Sequence, residues 1–167
     1  MAECWKKAYL AKRIFPDALD EKIASLRAQN KSIATLNGSF DLLHAGHLDI
    51  IYQASKQADC LIVALNSDAS IAAYKNPSRP ILPLEERLQL IAALVFVSYV
   101  THFDELDPRK LLGHIRPDVH VNGANYGATC IEADLIRSYG GRLHLVDLFA
   151  GRSTTSIIEK IKKQPSS

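Results

Sequence analysis

Apolar positions along this chain change their spacing in a regular way. Five short runs are either largely apolar or alternate apolar with polar positions: residues 32–36 (SIATL), 60–66 (CLIVALN), 98–103 (SYVTHF), 118–122 (DVHVN) and 142–148 (RLHLVDL). Runs of that length and composition predict strands. Between them apolar residues recur at intervals of three and four, which predicts helices over about 46–58, 67–74, 83–95, 108–115, 129–139 and 153–163. Pro83 and Pro108 stand where a first helical turn tolerates proline. A further helix over 17–29, with Leu19, Ile23 and Leu26 on one face and an aspartate cap, precedes the first strand.

Strands alternating with helices predict an α/β fold: an open parallel sheet of about five strands with helices on both faces, because parallel neighbours need a crossover helix. Residues 1–30 form an N-terminal helical extension, 31–163 the domain proper, and 164–167 a frayed tail. Sheets of this kind bind ligands beyond the carboxyl ends of their strands, where the strand order reverses. That rule points to residues 37–47, 66–68, 122–126 and 149–155.

Composition narrows the partners. The formal charge is +2 over 167 residues and the basic residues are dispersed, apart from a group in the last helix, so nucleic acid is not an expected partner. The longest apolar run, 90–97, falls far short of a membrane span, and the first fifteen residues carry no signal-peptide core. The expectation is a cytoplasmic protein that does not engage a membrane. Three cysteines, Cys4, Cys60 and Cys130, form no C-x-x-C pair and are read as small apolar residues.

Neither G-x-x-x-x-G-K-[ST] nor G-x-G-x-x-G is present, so a nucleotide would have to be held by other means. The stretch NGSFDLLHAGH, from Asn37 to His47, offers one. Gly46 allows close approach of a ligand where loop becomes helix, and His44 and His47 flank it. Free N–H groups at the helix start, with two imidazole donors, suit an anion. H-x-x-H without a glutamate or a fixed third ligand is no zinc signature, and plain turn closure is the other reading.

A second helix start, GRSTTS, places the hydroxyls of Ser153, Thr154 and Thr155 beside exposed N–H groups, where simple capping is the alternative. Two such starts after parallel strands favour a phosphate-rich ligand. Lys75 lies in a proline-bearing connection from which a flexible ammonium can close over a polyphosphate, and Arg79 and Arg87 offer guanidinium forks, with plain solvation as the competing reading for exposed basic residues. Arg87 has Glu85 and Glu86 beside it, so a surface ion pair is its competing reading. VNGANYG, with Asn122, Gly123 and Asn125, ends a strand in amides and glycines that suit base or phosphate contacts, or a turn. No G-x-S-x-G elbow or carboxylate pair supports acyl transfer or glycoside hydrolysis.

Taken together, NGSFDLLHAGHLDII, ALNSD, RPILPLEERLQLIAAL and GRSTTSII resemble the cytidylyltransferase-like nucleotidyltransferases, with their Rossmann-like HxGH fold. Within them the chain is most similar to the adenylyltransferase half of the bifunctional bacterial heptose-phosphate kinase and heptose 1-phosphate adenylyltransferases. The resemblance implies transfer of AMP from ATP to heptose 1-phosphate, with Mg²⁺ carried by the nucleotide and pyrophosphate released, toward ADP-heptose for lipopolysaccharide or surface glycans. It assigns His44, His47 and Lys75 to catalysis. It places Asn37, Gly38, Ser39, Phe40, Gly46, Arg87, Asn122, Gly123, Asn125, Ser153, Thr154 and Thr155 at the nucleotide, leaves any protein-held metal unknown, and implies a homodimer to which the leading segment with Trp5 contributes.

One segment departs from the family pattern. Relatives read Val-Lys-Gly-x-Asp-Tyr where this chain has Asn122 and Asn125, losing one cation and one carboxylate together. The alternatives are a glycerol-phosphate-type cytidylyltransferase using CTP, or a catalytically silent nucleotide-binding module.

Overall fold

The computed structural model describes residues 2–75, 77–147 and 154–164. Five parallel strands, β1 (Ile33–Gly38), β2 (Cys60–Asn66), β3 (Tyr99–Phe103), β4 (Val119–Gly123) and β5 (Arg142–Val146), form one sheet in the order β3-β2-β1-β4-β5. The chain winds outward from β1 in one direction and, after β3, returns to the other side of it. The reversal therefore lies between β1 and β4, whose carboxyl ends carry Asn37, Gly38, Asn122 and Gly123.

Helices α1 (Ala2–Lys12), α2 (Leu19–Ala28), α3 (Ala45–Ser55), α4 (Asp68–Tyr74), α5 (Leu84–Ala92), α6 (Arg109–Ile115), α7 (Ala133–Ser138) and α8 (Thr154–Lys162) accompany the strands. Alternate strand residues feed two cores. Leu36, Leu61, Val63, Val100 and Val121 pack with Ile51 of α3 and Leu88 and Ile91 of α5, while Ile33, Ile62 and Phe103 on the other face meet Ile23 of α2 and Ile115 of α6. Strands buried on both faces read as continuous apolar runs, and that is why the sequence marks β2 without an error at either end.

Two elements differ from the sequence expectation. Helix α1 lies within the helical extension expected over residues 1–30, but its bounds were not read from the pattern: among its described residues Tyr9 is the buried hydrophobic one, so it carries no repeating stripe. It is nevertheless knit to the sheet. Lys12 donates to the carbonyls of Ala92 and Leu94 beyond the end of α5 (2.9 and 3.0 Å), and the Ile14 N–H donates to Val100 on the edge strand (2.8 Å). An edge strand covered in this way has fewer open backbone groups to offer another chain. Helix α7 is shorter than expected, because residues 128–132 turn before it begins and bring Glu132, 5 % exposed, under the fold.

Polar residues interrupt the second core face. Thr35 and His120 are paired in register on β1 and β4, both fully buried, with Thr35 Oγ1 2.8 Å from His120 Nδ1. Burial pushes the His120 imidazole down to about 4. A histidine depressed from 6.5 to about 4 is neutral in the fold, so its contribution to stability is full above pH 6.5 and is lost as the pH falls toward 4. The full effect is about 3 kcal/mol. Urea unfolding at pH 7.5 and pH 4.5 should show a loss of stability in the wild type that shrinks by about that amount in His120→Gln. An equal acid loss in both proteins would show that His120 is not the titrating group.

Candidate active site

A cleft of about 550 Å³ opens at the carboxyl ends of β1 and β4, where the strand order reverses. Asn37, Gly38, Ser39 and Phe40 line it from the end of β1, and His44, Gly46 and His47 from the start of α3. Asn122, Gly123 and Asn125 line it from the end of β4. Lys75 and Arg79 reach it from the connection after α4, and Thr154 and Thr155 from the start of α8. Sequence positions more than a hundred residues apart thus face one space. Ser153 lies outside the described residues.

The histidine pair is organised by capping. His44 is the N-cap of α3, and its Nδ1 accepts hydrogen bonds from the N–H groups of Gly46 (3.1 Å) and His47 (3.4 Å). Two of the N–H groups that the sequence reading left open to an anion are therefore already satisfied. An imidazole whose Nδ1 accepts carries its proton on Nε2, so neutral His44 presents an N–H donor from the other side of the ring. The His47 ring stacks on it at 3.8 Å between centroids, and Phe40 meets His47 edge-on at 5.4 Å. Burial lowers the His44 imidazole; burial, then His44 and Lys75, hold His47 down to about 4. Above pH 6.5 both are neutral donors, with no cation on either ring.

The positive charge of the cleft comes from Lys75 and Arg79. Lys75 Nζ donates to the Ser39 hydroxyl at 2.9 Å, and burial followed by the nearby Arg79 lowers its ammonium from the ordinary lysine range. Arg79 pairs with Asp41 at 2.8 Å. Asn37 Oδ1 and Asn122 Nδ2, an acceptor and a donor on adjacent strands, are buried without a partner among the described residues.

Arg87 is elsewhere. It is fully buried behind the cleft wall, donating to the carbonyls of Ser39 (2.6 Å), Leu82 (3.0 Å) and Asn66 (3.0 Å) and to the Asp68 carboxylate (2.7 Å). The expected phosphate contact is in this structure a tie between the loops after β1 and β2 and the start of α5. The expected surface pairing with Glu85 or Glu86 is also absent, and Asp68 supplies the carboxylate. Sequence reasoning overlooked Asp41, which sits inside the quoted FDLLHAGH stretch and is 1 % exposed. The signal available was a lone acidic residue within an otherwise apolar and histidine-bearing loop.

Comparison with known proteins bears on this geometry directly. Residues 35–162 match the family described as cytidylyltransferase-like. The chain belongs to that family. Cytidylyltransferase-like relatives include the bifunctional protein HldE of Syntrophotalea carbinolica, 44 % identical over 146 residues, and that of Azotobacter vinelandii, 44 % identical over 144. These matches cover 87 % and 86 % of this chain but 30 % of each relative, so the chain spans about a third of the length of those proteins.

Among solved structures, a lipopolysaccharide core biosynthesis protein from Thermoplasma volcanium superposes with a TM-score of 0.56 at 29 % identity, covering 71 % of this chain and 97 % of its own. A pantoate-beta-alanine ligase from Francisella tularensis, at 14 % identity and TM-score 0.58 over 90 % of this chain and 77 % of its own, shares the fold. The chain is thus a member of a nucleotidyltransferase family, and its cleft gathers neutral donors, two cations and helix-start hydroxyls around one space.

In this family member Arg87 acts on stability. Arg87→Leu would leave three carbonyls without their donor, costing about 3 kcal/mol or more. Urea denaturation should show that loss, and an unchanged midpoint would refute the structural assignment.

Proposed function

We propose that this protein transfers AMP from ATP to heptose 1-phosphate, releasing pyrophosphate and forming an ADP-activated heptose. The observation that carries the reading is the neutral His44–His47 pair facing the same cleft as Lys75, Arg79, Thr154 and Thr155. Its choice of nucleotide and sugar rests on the resemblance to heptose 1-phosphate adenylyltransferases and on the likeness to the HldE proteins. ATP as substrate accords with a cytoplasmic setting, and no described helix is long and apolar enough to cross a membrane.

A phosphate monoester is largely a dianion near neutral pH, so the protein need not remove a proton to create the nucleophile. A phosphate oxygen of the sugar attacks the α-phosphorus of ATP, and the bond to the pyrophosphate oxygen breaks. His44 Nε2–H and the stacked His47 donate to the α-phosphate as charge builds on it, while Lys75 and Arg79 neutralise the departing pyrophosphate. Mg²⁺ enters with the triphosphate as part of the substrate. Among the described residues no group of three His, Cys, Asp or Glu side chains is placed to hold a metal ion.

A pyrophosphate-release assay with Mg²⁺, each nucleoside triphosphate and a panel of sugar and polyol phosphates tests the proposal. Turnover with ATP and heptose 1-phosphate is expected. Turnover only with CTP and a polyol phosphate would replace the substrates, and none with any pair would remove the reaction. His47→Ala should lower kcat by about 10²–10³-fold.

The pH profile provides a separate check. With both histidines neutral, kcat/KM should stay level from pH 6.5 to 8 and fall below about pH 6 as the substrate phosphate takes up a proton. A rise in activity on acidification through 6 would mean that a protonated histidine is the active form.

A further inference from the structure

The likeness to the family leaves one charge beside the cleft unaccounted for. Asp41 is 1 % exposed, and a carboxylate taken out of water must replace every hydrogen bond it gives up. It accepts from the N–H of Ile81 with both oxygens (3.1 and 3.0 Å), from the N–H of Leu82 (3.0 Å) and from the Arg79 guanidinium (2.8 Å). Its own carbonyl accepts from the Thr154 hydroxyl at 2.6 Å. One residue of the histidine loop therefore fastens both segments that bring phosphate-binding groups from far along the chain: the connection bearing Lys75 and Arg79, and the start of α8.

The sign of that charge is informative. A carboxylate beside a polyanion site weakens anion binding by Coulomb repulsion, so its presence is offset only by what it positions. Arg79 lines the cleft, its side chain is 11 % exposed, and its Nε is buried without a partner among the described residues. A guanidinium held at one corner by Asp41 still has N–H groups for a phosphate oxygen, in a fixed orientation that a flexible ammonium lacks.

We propose that Asp41 is a positioning residue that holds Arg79 and the start of α8 against the histidine loop, and that Arg79 so held binds the polyphosphate. The inference rests on the nucleotidyl-transfer reading only for the identity of the polyphosphate as a nucleotide. Asp41→Asn tests it cleanly, since an amide oxygen can still accept from Ile81 and Leu82 and the backbone carbonyl still meets Thr154, while the ion pair to Arg79 is lost.

Calorimetric titration with inorganic tripolyphosphate measures binding without turnover. Asp41→Asn should bind it about tenfold more weakly than wild type, although a negative charge has been removed. Arg79→Gln should lose about as much, and the double variant should be no weaker than Arg79→Gln alone, because one residue acts through the other. In the pyrophosphate assay Asp41→Asn should raise KM for the nucleotide more than it lowers kcat.

Binding by Asp41→Asn as tight as wild type or tighter would overturn the proposal, and so would fully additive losses. Should Asp41→Asn fail to fold, Arg79→Lys decides, because it keeps the charge and loses the fork. Weakened binding supports the positioning role and unchanged binding ends it. A wild type that shows this binding pattern but turns over no substrate pair would remove the proposed reaction and leave Asp41 in its role. A wild type that does not bind tripolyphosphate would end the role given to Asp41 and Arg79, and the pyrophosphate-release assay would still decide the reaction on its own.

Discussion

Desolvation of a single carboxylate organises the site. Once Asp41 is buried, the fold has to bring hydrogen-bond donors to it, and the donors it recruits come from outside the loop that carries it. The loop itself is wound tightly to turn that side chain inward. Phe40 and Leu42, on either side of Asp41, both have positive φ (46° and 49°), a conformation that costs a side-chain-bearing residue about 1–3 kcal/mol. The bonds to Ile81, Leu82 and Arg79 offset that cost, and the same winding sets Phe40 edge-on to His47.

Arg87 is the counterpart of opposite charge. Fully buried, it gathers carbonyls from the loops after β1 and β2 and from the turn before α5, so the backbone around the cleft is fixed from behind by a cation and from the side by an anion. Neither group faces the ligand directly with its full charge. What lines the cleft is the remainder: neutral imidazoles, Lys75, Arg79, threonine hydroxyls and the asparagine amides. A site built this way stabilises developing charge through donors oriented in advance, which costs little reorganisation when the charge appears.

The sheet was legible because strands buried on both faces leave unbroken apolar runs, and the helices were legible where a repeating stripe faces a core. The alternation pointed to four stretches at strand ends, of which 37–47, 122–126 and 149–155 contribute residues to the cleft and 66–68 does not. The site residues were legible as types and less so as roles. His44 reads as a ligand from HAGH, but its capping bonds depend on a rotamer that spacing does not encode. Arg87 and Asp41 were misjudged and overlooked for one reason: whether a charged residue faces solvent, ligand or backbone depends on the path of segments forty residues away, and local pattern does not carry that path. The bounds of helix α1 could not be read from the pattern because, among its described residues, Tyr9 is the buried hydrophobic one, and a single position has no period.

The helix α8 supplies Thr154 and Thr155 to the cleft, yet none of its described residues is buried, and the bond from Thr154 to Asp41 is a tie of about 1 kcal/mol. The two sides of the cleft therefore differ in how firmly they belong to the fold. The side built on β1, β4 and α3 opens only with the sheet, while detaching α8 costs a small fraction of global unfolding. Under the proposed reaction, an anion held across the cleft would lean on one firm wall and one lightly attached wall, and its release would need only a local opening at α8 while the core on β1, β4 and α3 stays closed.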